Sequence, residues 1–78
     1  MPIPQVVDSL KELSEDSTIP KNIKLKLSTV IEILNDPREN SIKVSKALHE
    51  LEDVVDDSNL QPYSRTQVWQ IISMLEAL

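Results

Sequence analysis

None of the 78 residues is glycine, and that absence limits the fold more than any residue the chain contains. Phosphate-cradling loops, dinucleotide-binding turns and nucleophile elbows need backbone positions that only glycine fills at low cost. The chemistry built on them is thereby excluded. Helices joined by short turns are compatible with that absence. Any left-handed position at a helix end must then fall to Asn, so Asn35 and Asn59 are predicted to end their helices that way.

The apolar residues agree, recurring at helical spacing in four blocks with no convincing strand-like alternation. Ile3, Val6, Val7, Leu10 and Leu13 form the first stripe, opened by Pro2 and Pro4 and ending near Glu15 or Asp16. The second block follows "STIPKNIK", with Thr18 as N-cap and Pro20 in the first turn. It carries Ile23, Leu27, Val30, Ile31 and Leu34 on one face, while Leu25 and Ile33 fall off that stripe. A helix apolar on two sides is either central or available to a partner.

In the third block, "DPRE" predicts an Asp36 cap, Pro37 at the first helical position and Glu39 reaching back. Val44, Ala47, Leu48, Leu51, Val54 and Val55 keep the period beyond it. The fourth opens at Pro62, with Val68, Ile71, Ile72, Leu75 and Leu78 facing inward and Trp69 at the border. Three short connections predict an all-α fold, a four-helix antiparallel up-and-down bundle in one domain, residues 1–78. The helix openings "TIPKNIK" and "LQPYSRT" each set Pro ahead of a cation, which reads as shared helix-start chemistry and not as a duplicated repeat.

The charges run against the helix dipoles, which favour acids at N-termini and cations at C-termini. Helix one ends in Glu12, Glu15 and Asp16, and helix three in Glu50, Glu52, Asp53, Asp56 and Asp57. Helix two starts with Lys21, Lys24 and Lys26, and helix four with Arg65. An up-and-down bundle gathers these termini at one end. Interhelical ion pairs there would offset the dipole penalty. A bipolar docking surface, with Lys21, Lys24 and Arg65 facing an anionic group, is the functional reading. The acidic run 50–57 reads as a solvated face, since it lacks the loop and further ligands of a divalent-cation cage.

Catalytic chemistry has little to build on. His49, the lone His, stands three residues from Glu52 but has no marked nucleophile or orienting acid. A di-metal carboxylate bundle would need Glu-x-x-His twice. No enzyme, cofactor or metal is expected. Without Cys there is no disulfide or thiolate metal site, and no apolar run reaches membrane-spanning length. A soluble cytoplasmic protein is the expectation. The net charge of −5 opposes broad nucleic-acid binding but leaves room for a local basic patch.

Both aromatic residues fall in "PYSRTQVW". Tyr63 and Trp69 lie about 120° apart on an ideal helix and form no common platform. Arg65 and Trp69, four residues apart, share a face suited to a cation–π contact. Either Trp69 is a core anchor with Arg65 over its edge, or part of the pair is left exposed for a partner.

Two stretches, "DSTIPKNIK" and "PYSRTQVWQIISMLE", resemble the signature blocks of a small archaeal family classed as an uncharacterised protein family of the UPF type. The matching positions are Asp16, Thr18, Pro20, Asn22, Ile23, Pro62, Arg65, Thr66, Trp69, Ser73, Leu75 and Glu76. The resemblance implies a compact four-helix bundle with a bromodomain-like layout, without the long aromatic-lined first loop of an acetyl-lysine reader. It implies no activity, cofactor or catalytic residue.

The expected function is a small helical protein–protein interaction module with an unknown protein partner, including self-association as a homodimer. Lys21, Lys24, Arg65, Trp69 and Tyr63 are its candidate surface. The alternative is an accessory nucleic-acid or ribonucleoprotein factor, with Lys21, Lys24, Lys26 and Arg65 on phosphate and Trp69 or Tyr63 on a base or sugar.

Overall fold

The computed structural model describes residues 2–78. Four helices follow one another: α1 (Pro2–Ser14), α2 (Lys21–Asn35), α3 (Asn40–Val55) and α4 (Pro62–Glu76). α2 packs on α1 and α3, and α4 packs on α3 and α1, closing a ring. Short connections make neighbours antiparallel, and the molecule measures 32 × 19 × 18 Å, close to a single layer of four upright helices.

The core forms because each helix turns its apolar stripe toward the ring's centre. Leu10, Leu27, Leu51, Val54 and Val68 are fully enclosed, with Val6, Val30 and Leu75 beside them. Ile31, Val44 and Leu48 are half-buried against this cluster. In α4 one inner-face residue, Leu78, and the expected border anchor, Trp69, lie further out than the spacing predicts. Leu78 is exposed because α4 stops at Glu76 and the stripe loses its helix. Trp69 is half exposed (50%), since Val68, Ile71, Ile72 and Leu75 already fill that side of the core.

The helix ends depart from the sequence reading in a consistent way. Among the described residues no backbone φ is positive, so neither Asn35 nor Asn59 is left-handed. Asp residues make the turns instead. The Asp16 carboxylate accepts from the Thr18 N–H (2.9 Å) and hydroxyl (2.7 Å), which draws Thr18 away from capping α2. Pro20 holds the cap position with extended backbone and no side-chain bond. Asp36 does not open α3. The proline after it holds its backbone extended (ψ 144°), so it closes α2, and its carboxylate accepts from the Arg38 N–H. α3 starts only at Asn40, with Glu39 in the cap position and no capping box.

The segments 15–20 and 56–61 are one turn built twice. Asp16 N–H donates to Leu13 O, and Asp57 N–H to Val54 O. Ile19 N–H donates to Asp16 O and Leu60 N–H to Asp57 O, both at 3.2 Å. The Asp57 carboxylate takes the Asn59 N–H as Asp16 takes that of Thr18. Ile19 and Leu60 are both buried, plugging the end of the core from within the turns. The halves thus repeat at a spacing of 41 residues, with Leu10, Asp16, Ser17, Ile31 and Leu34 recurring as Leu51, Asp57, Ser58, Ile72 and Leu75. Setting "TIPKNIK" against "LQPYSRT" aligns Pro20 with Pro62, one residue out of this register. In the structure Pro20 matches Gln61, both extended at the cap, and Lys24 matches Arg65.

Candidate interaction surface

The C-termini of α1 and α3 and the N-termini of α2 and α4 share one end of the bundle. Carbonyls left open at a helix C-terminus attract cations, yet α3 ends in acids. Arg65 resolves the conflict from α4. Its Nε donates to Val55 O (2.9 Å), and its Nη2 donates to Asp57 O (2.9 Å) and Leu60 O (3.1 Å). The guanidinium fork is suited to such spread acceptors in a way an ammonium is not. Arg65 therefore closes α3 and holds the turn, and its donors are not directed at an external anion.

The remaining charges at this end form a thin lattice. Lys26 pairs with Asp53 across α2 and α3 at 3.7 Å, with both partners well exposed, and Asn22 donates to Asp57 at 3.2 Å. Thr18 first, through its N–H and then its hydroxyl, and Lys24 more weakly, hold the Asp16 carboxyl below its ordinary value. Of the predicted basic patch, Lys21 forms no ion pair among the described residues and Lys24 acts only through its charge near Asp16. Tyr63 is 71% exposed at the start of α4.

Trp69 lies away from Tyr63, as helical geometry requires. It borders a shallow concavity between α3 and α4 with His49, Glu52, Asp53, Val55 and Asp56. Three acids and an imidazole therefore stand around an exposed indole. The His49–Glu52 spacing noted in the sequence brings both to this concavity. Among the described residues no group of three or more His, Cys, Asp or Glu is placed to hold a metal ion. The arrangement suits a cationic side chain, which can lie over the indole face and meet carboxylates at its edge. The sequence points to Trp69 and, separately, to acids that form ion pairs or a solvated face, without joining the two. That α4 lays Trp69 against the acidic face of α3 becomes visible only once the helices are packed.

A family model described as an uncharacterised protein family, UPF0147, matches residues 2–78. A UPF0147 protein of Methanothermobacter thermautotrophicus is 35% identical over 95% of this chain and 74% of its own length. Its counterpart in Thermococcus kodakarensis is 33% identical over 95% and 92%. A crystal structure of an unknown function protein, MMP1188, superposes with a TM-score of 0.92 at 31% identity, covering 99% of this chain and 89% of that one. The chain belongs to the UPF0147 family, and the archaeal resemblance carried by the two sequence blocks is to it. Many residues in those blocks serve the fold: Asp16 and Thr18 make the first turn, Arg65 closes the second, and Ile23 and Leu75 are buried. No helix among the described residues is long and apolar enough to cross a membrane.

Proposed function

We propose that this member of an uncharacterised family is a small protein-binding module whose α3–α4 face holds a basic segment of a partner protein, in the reducing cytoplasm that its cysteine-free sequence suits. The observation that carries the reading is the sole Trp, half exposed, at a concavity lined by Glu52, Asp53 and Asp56. An indole left in water contributes little to folding and much to binding once a partner covers it. A Lys or Arg side chain would pair its charge with the carboxylates and its stem with the ring.

The test is affinity capture of the tagged protein from its native cell, followed by mass spectrometry, with wild type and Trp69→Ala in parallel. A captured protein that falls by about tenfold or more with the variant supports the reading, because a hot-spot aromatic contributes about 2 kcal/mol or more. An identical set of captured proteins from a folded Trp69→Ala variant refutes it. The single Trp also reports binding directly: its fluorescence should shift when the captured partner is titrated in.

A further inference from the structure

A different face carries opposite charges in two separate rows. The groove between the C-terminal half of α2 and the N-terminal half of α3 is bordered by Glu32 and Asp36 on the α2 side. Lys43 and Lys46 border it on the α3 side, with Ile33 and Ile42 between them. Ile42 is 44% exposed, although it opens a helix whose other apolar residues face the core. One helical row further along α2 lies Leu25, 70% exposed. Among the described residues the ion pairs are Lys26–Asp53 and Arg38–Asp36. Arg38 lines the groove too and pairs with Asp36, so Glu32 is the acid that faces the lysine row without pairing across it.

We infer that this α2–α3 face is an isologous interface to a second copy of the same chain. A two-fold axis along the groove sets Glu32 of one copy against Lys43 and Lys46 of the other, and the reverse, while Ile33 and Ile42 meet near the axis. Such self-complementarity needs both charges on one patch in separate rows, and this groove has them. A domain of this size also has little core to spare, so added apolar burial stabilises it directly. The inference goes beyond the binding-module reading, uses a face distinct from the Trp69 concavity and stands independently of it.

The experiment is sedimentation equilibrium of the full chain and two charge-reversed variants. Glu32→Lys makes the α2 row less acidic and leaves Asp36, which the loop needs, in place. Lys43→Glu with Lys46→Glu makes the α3 row acidic. Wild type should sediment at twice the 8.9 kDa chain mass. Each variant alone should raise the dissociation constant by about tenfold or more, because each reversed contact occurs twice in a symmetric dimer. An equimolar mixture of the two should regain dimer, which also shows that both variants are folded. Wild type that stays monomeric at high micromolar concentration overturns the inference, as does a dimer insensitive to both reversals. If the dimer is absent but Trp69-dependent capture persists, this inference falls and the binding-module reading stands. A dimer with no Trp69-dependent capture leaves this inference standing and removes the other.

Discussion

The turn at 15–20 and the turn at 56–61 share backbone bonds, an Asp that accepts from the residue two positions on, and a buried aliphatic plug. They differ in how they are tied to the helix that follows. In the first, Lys24 supplies charge near Asp16 and Thr18 adds a hydroxyl bond. In the second, Arg65 binds three carbonyls and Asn22 reaches the Asp from the other half of the chain. The same fold of the backbone is thus held locally in one half and by tertiary contacts in the other. The α1 C-terminus carries fewer acids than the acidic end of α3, and the side with the heavier dipole conflict has the stronger cationic clamp.

The largest effect should come where the turns are alike. Ile19→Ala and Leu60→Ala each remove a buried plug and should cost about 2–4 kcal/mol, measured by urea unfolding. A large difference between them would mean that the halves are alike in shape but not in energetic weight. Next comes the point of greatest difference. Arg65→Ala should cost about 2 kcal/mol, since charge-assisted bonds to three part-buried carbonyls are lost together. Lys24→Ala should stay within about 0.5 kcal/mol. Thermal melts separate the two readily, at about 4–8 °C per kcal/mol for a domain of this size. Arg65→Lys should recover less than half of the loss, because it restores charge but not the fork.

A smaller, pH-dependent effect belongs to the first turn alone. The Thr18 N–H and hydroxyl hold the Asp16 carboxyl below its ordinary value of 3.8. A carboxyl lowered by folding stabilises the fold above its unfolded value and loses that contribution as pH falls through the folded one. Melting temperatures of wild type and Asp16→Asn should therefore run apart above pH 3.8 and converge in stronger acid. Parallel curves down to the acid limit would show that the Thr18 bonds form equally well to a neutral group. Trp69→Ala should also cost little stability, about 1 kcal/mol or less for a side chain already half in water, despite the loss of binding proposed for it.

Much of the architecture is legible from the residues. Spacing placed Ile3, Val6, Val7, Leu10 and Leu13 on one buried face and did the same for Ile23, Leu27, Val30 and Leu34. Helical periodicity is a local property, repeated several times per helix, so it survives any uncertainty about neighbours. The turns were less legible. Ile19 and Leu60 sit in polar stretches, where a single aliphatic residue has no period to reveal it. Thr18 and Asp36 each had two compatible roles, capping a helix or closing an Asx turn, and only the backbone path chooses between them. The duplicated turn was obscured because Pro20 and Pro62 suggested an alignment one residue out of step.

What the sequence alone determined is the set of helices and the exclusion of glycine-dependent sites, because both follow from residue spacing and backbone sterics within a few positions. The tertiary structure decided the fate of the side chains in "PYSRTQVW". Arg65 could meet Trp69 or an external anion in the isolated helix. It instead finds Val55, Asp57 and Leu60 carbonyls, which come within reach only when α3 ends beside the start of α4. Trp69, half exposed, lies beside the acids of α3. Neighbours along a helix are fixed by its pitch, but those across a bundle are fixed by packing, which here commits the Arg65 donors to the end of α3 and sets the indole beside the α3 acids.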